Sequence, residues 1–71
     1  MEWTLDRICE LVARPETLNV LNACRPGHPW NATARRPWSD AAFVLAQRPS
    51  YEVPSTAIDW LRRQAQVHGE G

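Results

Sequence analysis

The sequence predicts a small all-α bundle of about four short helices interrupted by a long Pro/Trp-rich loop. Three observations predict it. Apolar residues recur at helical spacing in four separate segments. Each segment begins or ends at a Pro, Ser or Thr. No segment shows the strict apolar–polar alternation of a half-buried strand. With 71 residues the chain is expected to be one small domain, residues 1–71, or a fragment of one, and a chain this short buries only about 60% of its unfolded surface. That length leaves no room for a nucleotide-binding α/β fold or a barrel enzyme.

The first helix is expected over residues 4–14. Leu5, Ile8, Cys9 and Val12 form one apolar stripe. Thr4 caps it, Asp6 suits the positive end of its dipole, and Pro15 stops it at Arg14. Trp3 is expected to fold back over this helix. The second helix spans 15–25. Pro15 fits a first helical position, Thr17, Val20, Leu21 and Cys24 make its stripe, and Pro26-Gly27 ends it. Residues 26–38 then form the loop, where Trp30 and Trp38 each follow a proline and either cap the thin core or stand exposed beside arginine, with a short helix over 31–36 capped by Asn31. The third helix is expected at 40–48, capped by Ser39, with Ala42, Phe43, Leu45 and Ala46 inward and Pro49 as its stop. Residues 50–54 read as extended, with Tyr51 and Val53 on one side. The last helix spans 56–67 after a Ser55 cap. Ala57, Ile58, Leu61 and Ala65 face inward and Trp60 and Gln64 flank them, with residues 68–71 fraying. The frame Asp-x4-Leu-x2-Arg-Pro occurs at Asp6–Pro15 and again at Asp40–Pro49, and chance explains so short a match.

Charge is more informative than its total. The formal net charge is zero, and all eight basic residues are Arg. Residues 1–16 carry −2, residues 17–39 carry +3 and residues 40–71 carry −1. The one basic stretch is therefore the Pro/Trp loop. No apolar run approaches the ~20 residues that span a bilayer, and no secretory leader opens the chain. A cytoplasmic protein without a membrane partner is expected, with reduced thiols.

The chemistry of sites is sparse, and the expectation is that the protein is not an enzyme. Cys9 and Cys24 lie on apolar stripes, where free thiols act as small buried hydrophobes and are expected to meet between the first two helices. Nucleophilic catalysis needs a base beside them, and the two histidines are His28 and the near-terminal His68. Cys9, Cys24 and His28 lack the closely spaced pairs of structural zinc sites, so no metal and no cofactor are expected.

The last helix carries the strongest signal. Val53-Pro54-Ser55-Thr56-Ala57-Ile58-Asp59-Trp60-Leu61-Arg62-Arg63 resembles the recognition helix of helix-turn-helix DNA-binding domains. Asp40-Ala41-Ala42 to Leu45-Ala46 is similar to the helix that precedes it in that family, so the resemblance covers residues 39–64. It implies a helix-turn-helix-like C-terminal pair and a small DNA-binding regulatory protein, as a homodimer on double-stranded DNA. The last helix would lie in the major groove. Ser55 and Thr56 would contact phosphate or base edges, Asp59 would accept from cytosine, and Arg62, Arg63 and Arg48 would pair with phosphates. Arg35 and Arg36 of the loop would touch the backbone. The joining segment, Pro49 to Pro54, is longer than the usual 3–4 residue turn. Two alternatives stay open. The last helix is an amphipathic helix with solvated arginines, or the chain is a non-enzymatic protein-binding module. In that module Trp30, Trp38, Arg35 and Arg36 anchor a partner, as in an inhibitor, an antitoxin-like protein or a phage-type regulator.

Overall fold

A computed structural model describes residues 2–32 and 37–68. The fold is all-α. Helix α1 is Leu5–Leu11, α2 is Pro15–Asn22, α3 is Pro37–Ala46 and α4 is Ser55–Val67, with a 3-10 turn at Pro29–Ala32. No described helix is long and apolar enough to cross a membrane.

Thr4 caps α1 as expected: its Oγ1 accepts the Arg7 backbone N–H at 3.1 Å. Thr4→Ala should therefore cost about 1 kcal/mol, read as a lower urea midpoint at unchanged slope. The helix ends at Leu11, three residues before the expected boundary. Val12 is extended (φ −99, ψ 131), and so is Arg14 (φ −89, ψ 127). Pro15 forbids helical geometry at Arg14, and Arg14 must also serve as the non-helical cap of α2. The carbonyl of Arg14 accepts the Thr17 and Leu18 N–H groups at 3.1 and 3.0 Å. Pro15 takes the first position of α2. That helix ends at Asn22, and the chain tightens into i→i+3 bonds from Cys24 and Arg25 that carry the buried Ala23 and Cys24 inward. Gly27 at φ 84 then turns the chain away, a conformation that suits glycine.

The third helix corrects the reading most. It begins at Pro37, whose ring suits a first helical turn, so Ser39 lies inside the helix and is not its cap. Trp38 thereby becomes a helical residue. Trp38, Ala41, Ala42 and Leu45 recur at helical spacing and are all buried, while Phe43 is 67% exposed and Ala46 also faces out. The inward stripe is thus rotated from the expected one, because the largest side chain sets the phase. The helix closes at Ala46 through i→i+3 bonds from Gln47 and Arg48.

Residues 50–54 are a turn and not an extended segment. Both the Glu52 and the Val53 N–H donate to the Pro49 carbonyl, at 2.9 and 3.2 Å. Tyr51 and Val53 consequently part company: Tyr51 is exposed and Val53 is buried. Pro54 takes the cap position of α4 without a side-chain bond, and Ser55 is its first residue.

Ala57, Leu61 and Ala65 bury one face of α4 against α3. Four alanines at that contact (Ala41, Ala42, Ala57 and Ala65) leave the bulk to Trp38, Leu45 and Leu61. The Trp38 ring meets Trp60 edge-on at 5.8 Å and stacks on His68 at 5.1 Å with the planes 3° apart. The start of α3 therefore lies against the end of α4. His68, expected to fray, is held by this stack.

Candidate nucleic-acid interface on the last helix

With one side of α4 in the core, the other side is defined. Ser55, Thr56, Asp59, Arg62 and Arg63 are all exposed. Positions 55, 59 and 62, and 56, 59 and 63, follow i, i+3, i+4, i+7 spacing, so the five side chains share a surface. The Arg62 guanidinium sits 3.8 Å from the Asp59 carboxylate, with both side chains more than 60% exposed, a pair of little energetic weight. Arg63 makes no ion pair among the described residues.

Two residues that the sequence reading did not assign to this site border it. The Trp3 Nε1–H donates to Thr56 Oγ1 at 3.1 Å, so Trp3 reaches across to α4 and does not simply cover α1. The Arg7 guanidinium lies 4.9 Å from the centre of the Trp3 ring, a cation–π contact. A signal for this was present. Trp3 and Arg7 are four residues apart and both lie off the Leu5–Ile8–Val12 stripe, which leaves them to meet each other on the outer side of α1.

The remaining arginines are engaged elsewhere. Arg48 is mostly buried, with its Nη2 3.2 Å from Thr17 Oγ1 and 3.4 Å from Glu16 Oε1. It ties α2 to the end of α3 and satisfies the hydroxyl of the buried Thr17. The structure does not bring it to the outward face of α4. Arg14 pairs with Glu52 at 3.5 Å and Arg25 with Asp6 at 2.6 Å. Arg35 and Arg36 lie outside the described residues. Of the two loop tryptophans, Trp30 is exposed, its backbone N–H donating to His28 Nδ1 at 3.1 Å and its ring edge-on to the His28 ring. Trp38 is core, which removes it as a surface anchor.

Neither cysteine is in a disulfide, and the Cys24 thiol donates to the Val20 carbonyl at 3.8 Å. Cys24 is buried and Cys9 half-buried, both packed in or against the core. Burial pushes the Cys9 thiol up, opposed by the Arg25 guanidinium and reinforced by Asp6. The thiolate is the reactive form, so iodoacetamide at pH 8 should label Cys9 more slowly in the folded chain than in urea. The sign of the linkage follows. A thiol raised in the folded state adds stability below its unfolded value, and that contribution is lost as pH climbs through the folded value. Among the described residues no three His, Cys, Asp or Glu side chains converge on a point that would hold a metal ion. Compared with known protein families, curated proteins and solved structures, the chain matches none of them.

Proposed function

We propose that this chain is a small DNA-binding regulatory protein that presents the outward face of α4 to the major groove. One observation carries the reading. Ser55, Thr56, Asp59, Arg62 and Arg63 are exposed together on the longest helix, and the opposite face of that helix is the centre of the core. The helix is thus rigidly backed and polar outward, as groove recognition requires. Zero net charge is no bar when charge is segregated. Arg14, Arg25 and Arg48 are paired with Glu52, Asp6 and Glu16, while Arg7, Arg62 and Arg63 border this face and Asp59 and Glu2 oppose them. Three phosphate contacts give a salt slope of about −2.7. A homodimer with two such helices would double that slope and read half-sites about 34 Å apart. The compartment that fits two cysteines outside any disulfide is the cytoplasm.

The test is fluorescence anisotropy with a labelled duplex between about 50 and 200 mM KCl. Binding that weakens with salt at a slope of about −2.7 to −5.4 is expected. No binding at the lowest salt sinks the proposal.

A second reading has one observation in its favour. Trp30 is exposed in the basic stretch of the sequence, and tryptophan is enriched at protein contact centres. Under it, Trp30→Ala keeps the fold and loses a stoichiometric protein partner, and duplex binding is absent.

A further inference from the structure

Two open clefts flank Trp3. The first, about 390 Å³, is lined by Trp3, Arg7, Thr56, Asp59 and Arg63. The second, about 620 Å³, adjoins it along α4, shares Trp3 and Arg63 and adds Glu2, Trp60, Gln64 and Val67 to its walls. The first has the volume of a small-molecule site, which runs from about 300 to 1,000 Å³.

Its lining has a specific chemistry. Arg63 is a planar donor suited to a phosphate, the Arg7 guanidinium held against the Trp3 ring adds positive charge beside it, and Glu2 opposes both from the adjoining cleft. Asp59 is an acceptor only, and its one ion pair, to Arg62 at 3.8 Å, leaves most of its acceptor capacity in use by solvent. Thr56 accepts the Trp3 indole N–H and keeps its own O–H to donate. Trp3 adds an aromatic wall. The contacts of Trp3 with Thr56 and Arg7 explain why the N-terminal segment sits on α4, but they need neither Asp59 nor Arg63. A ligand that answers all five groups has a phosphate, a flat ring and an amino group that donates to a carboxylate. Cytosine N4 and adenine N6 are such donors, whereas uracil has a carbonyl at the corresponding position. We infer that the Trp3–Arg63 cleft binds a nucleoside monophosphate whose base carries an exocyclic amino group.

A free nucleotide and an unstacked nucleotide within a strand share this chemistry, so both enter the test. The full chain, labelled with ¹⁵N, is titrated with CMP, UMP, inorganic phosphate and the single-stranded tetranucleotide d(CCCC), each to about 10 mM, a range that detects millimolar affinity. CMP should shift the Trp3 indole and the amides of Arg7, Thr56, Asp59 and Arg63. UMP should bind at least about ten-fold more weakly, the value of one hydrogen bond to a charged group. Asp59→Ala should bring CMP and UMP level, and Arg63→Ala should weaken both. Both replaced side chains are exposed, so the fold survives the change. Shifts with d(CCCC) and not with CMP assign the site to a strand nucleotide. Three results overturn the inference: no shift with either, the same shifts with phosphate alone, or equal affinity for CMP and UMP in the unaltered chain. Thr56, Asp59 and Arg63 also belong to the face proposed for DNA, so a bound nucleotide and a duplex would exclude each other. That consequence rests on the DNA reading, whereas the titration contains no duplex and stands or falls without it.

Discussion

Trp38→Ala should leave the domain largely unfolded at room temperature, while Phe43→Ala, five residues along the same helix, should change its stability by no more than about 0.5 kcal/mol. Trp38 is nine-tenths buried, and its ring touches Trp60 and His68 at the opposite end of α4. Truncating a buried tryptophan costs about 3–5 kcal/mol, and the edge-on aromatic pair adds about 0.5–1.5. A domain of this size rarely holds more than about 3–5 kcal/mol in total. One substitution therefore removes nearly all of it. The comparison with Phe43 matters because the two residues define opposite phases of α3. If Phe43 faced the core as its hydropathy implies, the order of the two effects would reverse. Far-UV circular dichroism and a urea titration of both variants decide it. Retention of a cooperative transition near the parent midpoint by Trp38→Ala would refute the packing described for α3 and α4.

The legible parts of the fold are those set by local chemistry. Thr4 as a cap, Pro15 at a first helical position, Gly27 beyond α2 and the Ala57–Leu61–Ala65 stripe each follow from a residue and its near neighbours. The parts that were misread depend on contacts distant in sequence. Trp38 looked like a loop residue because a proline precedes it, and a proline both ends one element and starts the next. Only the facing Trp60 and His68 show that Pro37 starts a helix. Tyr51 and Val53 looked like one face of an extended segment, but two bonds to the Pro49 carbonyl curl the chain and separate them. The candidate site divides in the same way. Ser55, Thr56, Asp59, Arg62 and Arg63 were legible because they sit opposite an apolar stripe on one helix. The mostly buried Arg48 was not, since its partners Glu16 and Thr17 lie more than 30 residues away. Trp3 was not either, because its bond to Thr56 spans 53 residues.

Replacing Arg62 and Arg63 together by Ala should reduce duplex affinity by about two orders of magnitude at low salt, and should lower the salt slope by about 2. A charge-assisted hydrogen bond is worth about 1.5–3 kcal/mol, and part of that is returned because both side chains are solvated in the free protein. The stability of the domain should stay within about 0.5 kcal/mol of the parent, since both side chains are exposed and the lone ion pair, Arg62 to Asp59, is weak. The two measurements together separate the competing readings of α4. Affinity lost with the fold intact means that the arginines meet phosphate. Affinity unchanged means that the helix is amphipathic with merely solvated arginines, and any DNA binding then lies elsewhere on the chain. Asp59→Asn supplies the complementary sign. Removing a carboxylate from a surface that faces phosphate should strengthen binding to arbitrary sequence by several-fold, because the interaction of like charges at this distance amounts to about 1 kcal/mol in a solvated setting. If Asp59 instead accepts from a cytosine, the same change should tighten binding to arbitrary duplex and narrow the preference for the cognate site. A surface that binds protein in place of DNA would show neither trend, since neither variant would then move a salt-dependent duplex affinity.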